Sequence, residues 1–176
     1  MPISQGLKAG LAAGVIYGLL IGILHLSFQA ACSTDQLAYI SQQIALRNLQ
    51  NVTAQEIYSA DLVAFPIYWG VGALILGVIY GIIFGWIYSS IPGRGSRKKG
   101  LTISIPVFLI GFVMGLPGYG IACTPNFLSF LPLILSVPIS FAFGYILGIF
   151  YDSFGRLVKE ERAEEAERAK SDTKKS

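Results

Sequence analysis

Histidine occurs once in this chain of 176 residues, cysteine twice, and charged residues make up only 13% of it. One histidine excludes His-Glu-x-x-His zinc chemistry and any histidine-rich haem or copper site. Two cysteines without a Cys-x-x-Cys spacing argue against a redox centre, and no glycine-rich loop leads from a strand into a phosphate-binding helix. Acidic residues are missing from the interior of every long apolar run, with Asp61 and Asp152 at the edges. Proton-driven pumps carry intramembrane carboxylates or histidine chains, so that class is disfavoured too. The expectation is a non-enzymatic chain with no cofactor and no metal.

Apolar surface is what the chain has in abundance: 53% of residues are hydrophobic and the mean hydropathy is +0.61. Soluble domains carry about twice as much charge. Stretches 10–31, 62–93 and 101–152 are almost free of charge. A span needs about 20 apolar residues, so the third stretch has room for two, divided at Cys123-Thr124-Pro125-Asn126. The pattern predicts an all-α polytopic membrane domain over 1–154, a four-helix bundle with spans near 6–29, 64–91, 101–122 and 127–151. An outer amphipathic segment, 32–61, and a charged tail, 155–176, complete it.

Basic residues set the orientation. Lys8, Arg94, Arg97, Lys98, Lys99, Arg156 and Lys159 fall at one set of span ends, and Arg47 alone at the other. Both termini are therefore expected in the cytoplasm, with the plasma membrane as the host. The net charge of +3 then reflects topology and not a nucleic-acid surface. The 93–99 run could attract anionic headgroups, although setting topology accounts for it. A cleaved lipoprotein signal ending at Ala30-Ala31-Cys32 is disfavoured by Gln29, where a branched apolar residue is wanted, and by an apolar run longer than a signal core.

Glycine recurs every fourth residue at Gly6, Gly10, Gly14, Gly18 and Gly22, and again at Gly77, Gly81 and Gly85. In a soluble helix each would cost about 1 kcal/mol relative to alanine, whereas in lipid small residues four apart let helix backbones approach closely. Gly111, Gly115, Gly144 and Gly148 extend the candidate packing set. Because each step of four advances about 40° beyond a full turn, the first stripe winds far enough to meet more than one neighbour. Gly81, Gly85, Tyr88 and Ser90 share their spacing with Gly144, Gly148, Tyr151 and Ser153, as a parallel duplication of a helical hairpin would produce. Against duplication, Gly14-Val15-Ile16-Tyr17-Gly18 recurs as Gly77-Val78-Ile79-Tyr80-Gly81 on a helix of opposite direction.

Within the outer segment Leu37, Ile40, Ile44 and Leu49 fall at helical spacing. Ser33 or Thr34 is the expected cap, and Thr53-Ala54-Gln55-Glu56 has the form of a capping box opening a second, short helix. Asn51-Val52-Thr53 is a candidate N-glycosylation acceptor. Cys32 and Cys123 belong to the same outer face and are either a disulfide or two free thiols. Closing so long a loop would restrict the unfolded chain by roughly 4 to 5 kcal/mol. In the tail, Arg156 with Glu160 and Glu164 with Arg168 are i,i+4 pairs of a solvated helix, followed by a disordered end over 171–176.

Two functional classes follow. The first is an accessory or scaffolding subunit, or a homo-oligomer, whose partners are the bilayer and other membrane chains, without nucleic acid. The alternative is a small transporter or channel module for an uncharged or weakly polar solute, with Tyr17, His25, Tyr80, Pro117, Gly118 and Tyr119 as candidate cavity residues. Its break at Leu116-Pro117-Gly118-Tyr119-Gly120 is either a helix end at the interface or an interruption lining a wet cavity.

Overall fold

The computed structural model describes residues 2–115, 123 and 131–173, with the backbone alone at 2, 110–115, 132–133, 161–162 and 164–173. The described residues form helices α1 (Pro2–Ala31), α2 (Ser33–Leu46), α3 (Ala54–Ile87), α4 (Ser96–Gly115) and α5 (Leu131–Thr173), with no strand among them. Three segments, Ile3–Ala31, Ala54–Ile87 and Ile134–Glu160, are long and apolar enough to cross a membrane. The chain is membrane-embedded, and its outward apolar side chains fit that: Leu19, Ile23, Ile67, Tyr68 and Trp86 are all more than half exposed.

Several helix boundaries differ from those expected. Thr53 does cap a helix: its hydroxyl accepts from the Glu56 N–H at 3.2 Å, and its N–H donates to the Glu56 carboxylate at 2.9 Å. That helix is not short, because nothing between Asp61 and Pro66 interrupts it and it runs on as the 34-residue α3. Pro66 lies inside it, as Pro106 and Pro138 lie inside α4 and α5, which membrane helices tolerate when neighbours satisfy the freed backbone groups. The N-cap of α2 is Cys32 and not Ser33 or Thr34. Its N–H donates to the Phe28 carbonyl and its carbonyl accepts from the Gln36 N–H, both at 3.0 Å, so α1 passes into α2 with almost no break. α5 continues from its apolar part through the charged tail, and includes 171–173, where an unstructured end was expected.

α1 and α3 cross where their glycines meet. A Cβ added at Gly6 or Gly10 would overlap the carbonyl oxygen of Gly81 or Gly77. The separation then widens: an added Cβ at Gly14 would stand 2.8 Å from the Ala73 carbonyl oxygen and one at Gly18 3.0 Å from the Ala73 side chain, while one at Gly22 meets nothing within 4 Å. The pair is tight near the N-terminus of α1 and diverges toward Cys32.

The second hairpin repeats the first. An added Cβ at Gly100 would meet Gly144 and the Gly148 N–H as one at Gly6 meets Gly81 and the Gly85 N–H, and Gly144 faces Ser104 where Gly81 faces Gly10. Carried through the core, this equivalence relates Ala9 and Ala13 of α1 to Ile103 and Val107 of α4. It also relates Tyr80, Phe84, Tyr88 and Ile91 to Phe143, Leu147, Tyr151 and Phe154. Equivalent residues touch: the Tyr80 and Phe143 rings are 6.3 Å apart and the Tyr88 and Tyr151 rings are stacked at 4.6 Å. Phe84 and its counterpart Leu147 are both fully buried. This correspondence has the form that a parallel duplication would produce. The rival likeness between 14–18 and 77–81 joins two faces of one interface, since Gly14 packs on Gly77. Symmetry is not complete, because α1 also lies along α5 whereas α3 and α4 barely touch.

At the far end from the glycine crossings, Cys32 and Cys123 form a disulfide with their Cα atoms 5.3 Å apart. It joins the end of α1 to the chain beyond α4, and so ties one hairpin to the other. Gly111 and Gly115 lie in the last turns of α4, where the backbone alone is described.

Two outcomes are expected. Gly81→Leu and Gly144→Leu should each cost about 3 kcal/mol or more through backbone overlap, whereas Gly22→Ala, whose Cβ meets no described atom within 4 Å, should leave the melting temperature in detergent almost unchanged. Cys32→Ser should destabilise the fold by roughly 4 kcal/mol, and the native chain should migrate faster on a denaturing gel without reductant than with it.

Candidate functional site

The end opposite the disulfide holds most of the basic side chains and is organised by a tight turn. Gly93 and Gly95 in that turn have φ of +123° and +86°, a region that side-chain-bearing residues rarely adopt. The turn brings the start of α4 back under the end of α3, where the Gly95 carbonyl accepts from the Lys99 N–H at 3.3 Å.

Three helices meet there through one buried hydroxyl. Ser96, 1% exposed, donates from Oγ to the Asp152 carboxylate of α5. Its single proton being spent, it accepts from the Tyr88 hydroxyl at the end of α3. Lys99 adds a second tie: Nζ donates to the Tyr88 carbonyl at 2.6 Å and lies 4.2 Å from the centre of the Tyr88 ring, within cation–π range. Phe84 packs edge-on against both stacked tyrosines, at 5.4 Å from Tyr88 and 5.1 Å from Tyr151.

Beside this network is an open cavity of about 630 Å³. Gln5 of α1, Tyr88, Arg97 of α4 and the 149–159 stretch of α5 line it, the last contributing Asp152, Arg156 and Lys159. Arg97 also lies 5.9 Å over the Tyr145 ring. Such a site can hold an anion by hydrogen bonds from several cations.

The candidate solute residues do not form one group. Tyr17 and Tyr80 converge on Phe143, at ring separations of 5.3 and 6.3 Å. His25 is two turns further along α1, stacked on Phe65 at 4.1 Å. Pro117, Gly118 and Tyr119 lie outside the described residues. Near the disulfide end the Tyr58 hydroxyl donates to the Gln29 carbonyl at 3.1 Å. His25 Nε2, Gln29 Oε1 and Gln36 Nε2 are buried and have no hydrogen-bond partner among the described residues. Asn51 is exposed in the turn before α3, with φ of 67°.

Ser96 and Gln5 carried no signal in the sequence, because a serine beside a basic run and a glutamine near an N-terminus are both commonplace. Tyr88 and Asp152 were visible only as a repeated tyrosine and as an acid at a span edge. Comparison of the chain with protein-family models, with curated proteins and with solved structures finds no match.

Ser96→Ala should deprive the Tyr88 hydroxyl of its acceptor and Asp152 of its donor. A cost of about 1–3 kcal/mol is expected, measured as a lower melting temperature in detergent, with Ser96→Thr retaining most of the native value.

Proposed function

We propose that this chain is a non-catalytic, four-span integral membrane protein acting as an accessory or scaffolding subunit of a membrane complex, or as a homo-oligomer, through close helix packing. Its termini are cytoplasmic and the plasma membrane is its site. The observation that carries the subunit reading is a division among the glycines. Those from Gly6 to Gly18, with Gly77 and Gly81, are occupied within the chain, while Gly70 and Gly72, both partly exposed, present positions with no atom within 4 Å among the described residues. Open small-residue positions on membrane helices suit the approach of another helix.

Orientation rests on the collection of Lys8, Arg94, Arg97, Lys98, Lys99, Arg156 and Lys159 at the end opposite Cys32 and Cys123. The fourth span rests on the disulfide. The support is that α4 starts at the basic end, where Arg97 and Gln5 of α1 line one cavity, whereas Cys123, further along the chain, is bonded to the residue that follows α1.

A transporter module is the second reading, favoured by three buried polar atoms, of His25 and Gln29 on α1 and Gln36 on α2, that have no hydrogen-bond partner among the described residues. It is the weaker one, because Phe84 and Leu147, both fully buried, fill the interior beyond Tyr17 and Tyr80.

Affinity purification of the tagged chain from its native membrane in mild detergent, followed by mass spectrometry, tests the choice. A stoichiometric partner or a defined homo-oligomer is expected, with recovery reduced at least about fivefold by Gly70→Leu with Gly72→Leu at unchanged melting temperature. A monomer that carries solute flux in liposomes would overturn the subunit reading.

A further inference from the structure

We propose that the cavity at the basic end is a binding site for a phosphate-bearing anion, of the kind carried by the headgroup of an anionic phospholipid. The inference does not depend on the subunit reading. At about 630 Å³ the cavity falls in the size range of small-ligand sites.

Its charge is unbalanced. Arg97, Arg156 and Lys159 face one carboxylate, Asp152, which is already engaged by Ser96. Among the described residues none of the three cations is joined to a carboxylate. Arginine forks match phosphate oxygens in pairs, and lysine adds a point charge. The Gln5 amide, held against Gly155, adds a neutral donor from a third helix.

Position argues for a lipid source. The cavity is at the ends of spans, the level at which headgroups lie, and pockets of basic residues between membrane helices are suited to them. Its wall is also graded along α5: Arg156 and Lys159 lie at the tail side, and Ile149 lies about two to three turns further into the apolar part. A headgroup at the cations would therefore leave its glycerol and acyl chains beside an apolar side chain. A free phosphate would use the same cations and leave Ile149 without a role.

The full chain, purified in a neutral detergent, would be titrated with short-chain phosphatidic acid, phosphatidylcholine and inorganic phosphate, with binding read by native mass spectrometry and by the melting temperature. Phosphatidic acid is expected to bind at least tenfold more tightly than phosphatidylcholine and to raise the melting temperature. R156Q/K159Q, two exposed positions, should remove most of that preference, while R94Q, outside the cavity, should retain it. Raising the salt to 1 M, where the screening length falls to about 3 Å, should weaken binding in the native chain and supplies the same test without a substitution. Inorganic phosphate binding as tightly as phosphatidic acid, and lost in R156Q/K159Q, would support the site with a soluble phosphate as its ligand. Equal binding of phosphatidic acid and phosphatidylcholine, or loss as large in R94Q as in R156Q/K159Q, would overturn the proposal.

Discussion

The approach of helix backbones at glycine is the constraint on which the rest of this structure depends. Lipid removes most of the hydrophobic drive that holds soluble helices together, which leaves packing and hydrogen bonds to do so. Gly6 and Gly10 against Gly77 and Gly81, and Gly100 against Gly144 and Gly148, bring each hairpin close enough for dispersion contacts along the backbone itself. Each contact is small and their number makes them effective. With the crossings placed near the basic end, the helices diverge toward the disulfide, and room opens there for His25 and Phe65 to stack.

Large rings are the complement of the small residues. Within a hairpin glycine brings helices together; between hairpins Tyr80, Phe84, Tyr88, Phe143 and Tyr151 fill the wider gap with stacked and edge-on contacts. The bundle is fastened at both ends, by the Tyr88–Ser96–Asp152 network at one and by Cys32–Cys123 at the other. Incomplete symmetry has a use as well. Because α1 follows α5 while α3 and α4 stay apart, Gln5 is carried to the basic end of α5, where it becomes part of the cavity wall.

Much of the fold could be read in the residues. Apolar runs marked membrane helices, the four-residue glycine period marked their contact stripes, and the two cysteines at one face are bonded. Boundaries were less legible. The Thr53 capping box showed where a helix begins but not that it would continue past Asp61, since continuation depends on the packing of α3 against α1. Cys32 caps α2 although Ser33 and Thr34 have the better side chains, because the direction in which α1 ends decides which residue stands at the junction. Tyr17, Tyr80 and His25 looked alike as polar groups in apolar runs, yet the divergence of α1 from α3 separates them.

Composition and periodicity alone determined that the chain lives in a membrane as helices, which helix faces are small enough for close contact, and which end collects positive charge. These are properties of local sequence, set by the hydrogen-bonding demands of the backbone in lipid and by side-chain size. Only the tertiary structure decided that the glycines from Gly6 to Gly18 serve contacts within the chain, that the crossing of α1 with α3 recurs between α4 and α5, and that Gln5, Tyr88, Arg97, Asp152, Arg156 and Lys159 surround one cavity. These residues come from three helices and from the residue that caps a fourth. Their meeting depends on crossing points and helix rotation, which no single segment encodes.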